Sequence, residues 1–310
     1  MSSYRGGEKV RKWQDFVQLK EVGPRDGLQN EKQFISTEDK IAWIDMLSNT
    51  GVSEIEYSSF VNPKWIPALS DAKEVGKRIK RNPTVSYSAL VPNIRGLEDA
   101  LESGIDGASV FMSASETHNL KNINKSINET FPVLKQVIEE AKKEGKKVTG
   151  YVSTVFECPY DGKISPNQVL RVCDQLITNG VDDISLGDTI GSAVPSQVEL
   201  LLEEILKRFP KEKIIMHFHD TRGMAIANIM TSLDYGISRF DTSIGGLGGC
   251  PYAPGAAGNV ATNDVLYLLH GLGISTGIQE KRIQDASIFI QNKLGKKLPS
   301  RSLAFIEGTA

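Results

Sequence analysis

Residues 213–243 read KIIMHFHDTRGMAIANIMTSLDYGISRFDTS. Lys213–His219 is a short run rich in apolar and β-branched residues, which predicts a strand. From Met224 to Tyr235 the pattern is amphipathic and helical. Gly236 follows at the position where a helix end wants a left-handed cap, and Arg239–Ser243 predicts a second strand. The unit is therefore strand, helix, glycine, strand.

The same unit recurs outward along the chain. Further strands are predicted at Val17–Val22, Val52–Ser58, Thr84–Val91, Ala108–Met112, Lys147–Thr154 and Asp183–Leu186. Helices are predicted at Thr37–Thr50, Asn93–Ser103, Asn128–Lys143, Pro166–Asn179 and Pro195–Arg208, and Gly51, Gly104, Gly145 and Gly180 each follow a helical stretch. Roughly eight strand–helix units within about 230 residues fit an α/β fold of the (β/α)8 TIM-barrel type. A doubly wound sheet usually has fewer units and often a Gly-rich dinucleotide fingerprint after its first strand. Here residues 23–30 read GPRDGLQN, which is no such fingerprint. The expectation is one domain over residues 1–310, with a barrel core at about 17–277 and a C-terminal helical extension at about 278–300.

Composition narrows the function classes. With 36 Lys and Arg against 38 Asp and Glu, the formal charge of −2 gives a polyanion such as nucleic acid no default claim as partner. Three cysteines, Cys158, Cys173 and Cys250, are too few and too odd a number for a disulfide framework. No apolar run reaches bilayer-spanning length, and MSSYRGGEKVRKWQDF at the N-terminus has no signal-type apolar stretch. A cytoplasmic protein without a membrane partner is expected.

In a barrel the chemistry sits at the C-terminal ends of the strands. The seventh strand ends in His217-Phe218-His219-Asp220. Side chains alternate along a strand, so both imidazoles face one way and Phe218 the other. Two convergent imidazoles at a barrel mouth suit a divalent metal, and two satisfied core histidines are the alternative. The first strand ends in Glu21-Val22-Gly23-Pro24-Arg25-Asp26-Gly27. Asp26 is either a hard oxygen ligand or part of a polar turn. Arg25 pairs with Asp26 or with a developing oxyanion.

After the eighth strand, residues 245–259 read GGLGGCPYAPGAAGN. Such a loop can approach a ligand closely or move as a lid. It lacks the Lys-Ser or Lys-Thr that completes a phosphate loop. Cys250 is a candidate acid, base or nucleophile, against the base expectation of an inert thiol. Asn259 is a neutral oxygen donor or a helix cap. Glu56, Ser58, Tyr151, Ser185 and Asp188 are further polar strand-end residues. Asp188 reads as an acid/base group or as a cap for the following helix.

These segments also carry a resemblance. VGPRDGLQNE, SSFVNPKWIPAL, SASETHN, KNIN, GYVS, CPYDGKISP, ISLGDTIG, HFHDTRG and GGLGGCPYAPGAAGN, in that order from about Val17 to about Gly277, resemble the 3-hydroxy-3-methylglutaryl-CoA (HMG-CoA) lyase family. The resemblance implies a metal-dependent barrel enzyme that cleaves HMG-CoA to acetoacetate and acetyl-CoA, a reaction of leucine degradation and ketone-body formation. It implies Asp26, His217, His219 and Asn259 as ligands of Mg2+ or Mn2+, Arg25 as stabiliser of the thioester enolate, and Cys250 as the loop thiol acting on the enolate. It implies Glu56 and Asp188 as supporting acids, and Gln29, Asn122, Tyr151 and Ser185 as substrate contacts. An acyl-CoA thioester partner and a homodimer are implied likewise.

The chain departs from the usual family pattern at Thr149, Phe156-Glu157, Arg222, Met224 and Asn263. The ligand set is intact, so these departures bear on the acyl-CoA substrate rather than on the reaction class. A related 3-hydroxyacyl-CoA is one alternative. Another is condensation with a 2-oxo acid, as in citramalate or isopropylmalate synthases, which usually carry a C-terminal regulatory region for which no room is expected here. The non-enzyme alternative is an inactive acyl-CoA-binding scaffold.

Overall fold

The β-branched runs form strands β1 Gln18–Glu21, β2 Glu54–Ser59, β3 Ser86–Leu90, β4 Gly107–Ser113, β5 Lys147–Ser153, β6 Asp183–Asp188, β7 Ile214–Phe218 and β8 Arg239–Thr242. All pair in parallel in chain order, and β8 pairs back onto β1 to close an eight-stranded barrel. The predicted TIM-barrel class is thus the observed one. The computed structural model describes residues 3–5, 8–10, 13–250 and 253–309, with side chains described over 13–249 and 258–308.

Helices α1 Thr37–Leu47, α2 Ala72–Arg78, α3 Ile94–Glu102, α4 Glu116–Ile123, α5 Ile127–Lys143, α6 Pro166–Thr178, α7 Pro195–Ile205, α8 Ala225–Asp234 and α9 Thr262–Gly271 surround the barrel. Their starts follow from local chemistry. Ser126 with Glu129, and Ser165 with Gln168, form capping boxes in which each pair satisfies two otherwise orphaned amides. The five predicted cap glycines all take positive φ, from 68° at Gly145 to 102° at Gly180. Helices α2 and α4 were not among the predicted ones; both are short, and α4 starts from the Ser115 cap.

Helices α10 Glu280–Leu294 and α11 Arg301–Thr309 follow the barrel, so the C-terminal extension runs past the expected residue 300. Their Ile283, Ile290, Leu294 and Leu303 join the same buried cluster as the barrel strands. Between them, Leu298 lies under the Gly-rich loop. A Cβ at Gly245 would meet the Leu298 side chain at 2.4 Å, and Gly245 has φ +62°, so only glycine fits there.

The barrel interior toward its C-terminal end is polar. Lys20 is in register with Asp241 on one side and with Glu54 on the other, and Asp241 is in register with His217. Neighbours in register point to the same face of a parallel sheet. One layer of the interior therefore carries charge instead of the usual branched apolar residues.

Candidate metal centre and active site

The end of β1 turns through a single π-helical turn, Gly23–Gly27, in which the amides of Arg25, Asp26 and Gly27 all donate to the Val22 carbonyl. Such turns are uncommon and concentrate at functional sites. This one aims Arg25 and Asp26 into the barrel mouth. Glu21 anchors it. Its Oε1 accepts from the Gly23 amide at 2.8 Å and the Ile244 amide at 2.9 Å, and its Oε2 accepts from the Thr262 hydroxyl at 2.7 Å. Burial pushes the Glu21 carboxyl up to about 7, despite these three donors.

The end of β7 is clamped from the other side. Val260 donates to the Phe218 carbonyl, Asp220 donates to the Gly258 carbonyl, and His219 and Asn259 form a bridge pair. This backbone pairing brings Asn259 beside the two imidazoles. Asp26, His217 and His219 each present a donor atom, all within 4.8 Å of one another. The Nε2 atoms of His217 and His219 lie 3.9 Å and 3.7 Å from Asp26 Oδ2. Asn259 Nδ2 donates to the same Asp26 Oδ2 at 2.8 Å, whereas Asn259 Oδ1 is buried without a hydrogen-bond partner.

The donor set fits a divalent cation. Two imidazole nitrogens, a carboxylate and an amide oxygen make a mixed site, unlike a closed structural zinc site of thiolates. The unpartnered Asn259 oxygen is the second sign, because buried polar atoms otherwise find partners. Charge is the third. Among the described residues around the centre, the four carboxylates of Asp26, Glu54, Glu56 and Asp241 stand beside two cations, Lys20 and Arg25, which make their ion pairs with Asp26, Glu54 and Glu56.

Arg25 is gripped on two sides, its Nε by Glu56 and its Nη1 by Asp26. It also lies 5.3 Å over the Tyr151 ring, and Tyr151 donates to Glu56 at 3.4 Å. Burial alone would raise Asp26, but Arg25, His219 and His217 together hold its carboxyl well below the usual range. Burial lowers His217, and the Asp241 and Asp26 carboxylates together outweigh this, so the imidazole sits above its ordinary value.

A cavity of about 670 Å³ opens over this centre. Arg25, Asp26, Gln29, Asn122, Tyr151, His217 and His219 line it. Other predicted site residues lie outside its wall. Glu56 sits one layer down, holding Arg25. Ser185 is fully buried and donates to Asp241 at 2.8 Å. Asp188 accepts from the amides of Ser192 and Ala193 in the loop before α7, whose N-cap position is Val194, so it braces the loop and does not cap the helix; burial pushes its carboxyl up to about 6. The Cys250 backbone pairs with Ala253, and its side chain lies outside the described residues.

Sequence reasoning missed Lys20, Glu54 and Asp241 inside the barrel, and Trp65, Asn93 and His118 on the cavity wall. The interior three carried a signal: charged residues standing within short strands. The departures from the family pattern are all elsewhere. None of Thr149, Phe156, Glu157, Arg222, Met224 and Asn263 lines the cavity. Arg222 donates to the Ile190 and Gly191 carbonyls, Asn263 accepts from the Gly245 amide, and Phe156 stacks on Phe218.

A family model described as HMGL-like matches residues 16–290. Hydroxymethylglutaryl-CoA lyase YngG of Bacillus subtilis is 57% identical over 287 residues, covering 93% of this chain and 96% of that protein. The 3-hydroxy-3-isohexenylglutaryl-CoA/hydroxymethylglutaryl-CoA lyase of Pseudomonas aeruginosa is 49% identical over 92% of this chain and 95% of its own. A crystal structure of a Bacillus subtilis HMG-CoA lyase superposes with a TM-score of 0.94 at 55% identity, covering 95% of this chain and 99% of that one.

Proposed function

Since the chain belongs to the HMGL-like family, we propose that it is a carbon–carbon lyase that cleaves HMG-CoA to acetoacetate and acetyl-CoA. The observation that carries this reading is the cluster of Asp26, His217 and His219 at the floor of the cavity, with the unpartnered Asn259 oxygen beside it and Arg25 on its wall.

Asp26, His217, His219 and Asn259 would hold Mg2+ or Mn2+. When bound, such an ion supplies Lewis acidity toward a hydroxyl and a carboxylate. The chain's own groups do the rest. The proton of the C3 hydroxyl passes either to Asp26, the one of the three acids Asp26, Glu56 and Asp188 that lines the cavity, or to a water held by these acids. The electron pair left on that oxygen forms the second bond of the ketone carbonyl, and the C2–C3 bond breaks with its electron pair passing to the thioester as an enolate.

Arg25 is fixed to stabilise that enolate oxygen, because Glu56 and Asp26 leave its guanidinium one orientation. Cys250 gives its proton to C2, yielding acetyl-CoA. A free thiol near pKa ~8.5 is protonated at neutral pH, as an acid must be. Gln29, Asn122 and Tyr151 contact the acyl-CoA. Glu56 holds Arg25, and Asp188 holds the loop before α7.

The alternative substrate, a 3-hydroxyacyl-CoA with a larger 3-substituent, draws support from the Pseudomonas relative's printed activity. The plain HMG-CoA reading is favoured by the departures, all of which avoid the cavity wall. The deciding assay offers the enzyme HMG-CoA and larger 3-substituted homologues and follows acetyl-CoA release, with 2-oxo-acid condensation as control. Condensation without cleavage would replace the lyase reading, and inertness toward all of them would favour a binding scaffold.

Among the described residues, no helix is long and apolar enough to cross a membrane. Free buried Cys158 and Cys173 suit a reducing compartment, and we place the protein in the cytoplasm, as a homodimer.

A further inference from the structure

We propose that Asp241 is a positioning residue that fixes His217 as a metal ligand through its Nε2 atom, and that Ser185 holds Asp241 for this task. The inference rests on the metal-centre reading above and adds a residue to it.

The argument starts from strand register. Asp241 of β8 is directly beside His217 of β7, so the two side chains leave the sheet on the same face. Asp241 Oδ2 lies 3.1 Å from His217 Nδ1. A carboxylate there keeps the proton on Nδ1, which frees the Nε2 lone pair. That Nε2 is the atom turned toward Asp26, at 3.9 Å. A carboxylate behind a ligating imidazole both orients the ring and makes its other nitrogen a stronger donor.

The arrangement is specific to His217. The Nδ1 of His219 is buried with no hydrogen-bond partner. Asp241 is 1% exposed, so water does not dilute its charge. Both of its hydrogen bonds converge on Oδ2, from His217 and from the fully buried Ser185 hydroxyl at 2.8 Å. Its Oδ1 is unpartnered.

The plain alternative is that Asp241 only balances Lys20, its other neighbour in register. The distances oppose it. Lys20 Nζ makes its ion pairs with Glu54, at 2.9 Å, and Glu56, at 3.6 Å. The ion pair of Asp241 is with His217.

The test measures Mn2+ binding to the full-length protein by calorimetry and by the electron paramagnetic resonance of free Mn2+. D241N and S185A are compared with the wild type, with thermal melts as the folding control. Asp241→Asn keeps the shape but removes the charge, and its amide can turn either face to Nδ1. The expected result is a Kd for Mn2+ about 10–100-fold weaker in D241N, and weaker by a smaller factor in S185A, with near-wild-type melting. D241N that folds and binds Mn2+ within about twofold of wild type would overturn the proposal. If D241N does not fold, wild-type Mn2+ affinity in S185A overturns it instead. A wild-type protein that binds no Mn2+ brings down the metal-centre reading itself, a distinct outcome.

Discussion

Asn259 donates through Nδ2 to Asp26 while its own Oδ1, buried, points to no partner. Half of the amide holds a neighbouring ligand and the other half is free to be one. Asn259→Ala is therefore expected to weaken Mg2+ or Mn2+ binding and to lower turnover at fixed metal, with excess metal restoring part of it. Exhaustive chelation of the wild type should abolish acetyl-CoA release, and added Mg2+ or Mn2+ should restore it. Full activity after chelation, confirmed metal-free by elemental analysis, would remove the metal from the account.

Arg25 serves an electrostatic role that a different cation cannot fill. Its guanidinium spans Glu56 and Asp26 at once, and a lysine ammonium has no such fork. Arg25→Lys is expected to cut kcat by about 10²–10³, the usual loss of one oxyanion donor. Arg25→Met should cost stability as well, roughly 3–5 kcal/mol, because Glu56 is left buried with a weakened set of partners. Denaturant melts and steady-state kinetics on both variants separate the two effects. A Lys variant with unchanged kcat would exclude enolate stabilisation by Arg25.

Cys250 is assigned the proton transfer to carbon. Cys250→Ala should nearly abolish turnover while Mn2+ binding stays at the wild-type level, since no metal ligand changes. Cys250→Ser should be a poor substitute, because a hydroxyl is a far weaker acid than a thiol. Wild-type-like turnover in the alanine variant would assign the proton to another donor.

The barrel and the outer parts of its site were legible in the sequence for definite reasons. His217 and His219 stand two apart on a strand, and period two places them on one face. Asp26 ends the first apolar run, where a barrel puts its chemistry. Lys20 and Asp241 lie within strands, in a layer where apolar side chains are the rule, so their charge marks them as unusual but does not tell which neighbours they meet. Ser185 stood out only as a polar strand-end residue, and its reading as a substrate contact came from the family resemblance. Its role depends on the β6–β7–β8 register, which sets Ser185 and His217 around one carboxylate. Asp188 shows the same limit: only coordinates place the amides of Ser192 and Ala193 on its oxygens.

Glu21 yields a prediction on stability alone. Its buried carboxyl ties the Arg25–Asp26 turn to Ile244 and Thr262, at the root of the Gly-rich loop. Burial raises it from 4.5 to about 7. A group raised in the folded state binds its proton more tightly there than in the unfolded chain. Its contribution is fully present below pH 4.5 and is lost as the pH climbs through about 7. The size of that loss is about 3 kcal/mol. Glu21→Gln removes the titration and keeps the geometry, since the amide oxygen can accept from Gly23 and Ile244 and its NH2 can donate to Thr262. The wild type, measured against E21Q by urea unfolding, should therefore lose about 2.5 kcal/mol of relative stability between pH 5 and pH 8. A constant difference across that range would mean that the Glu21 proton is not linked to folding.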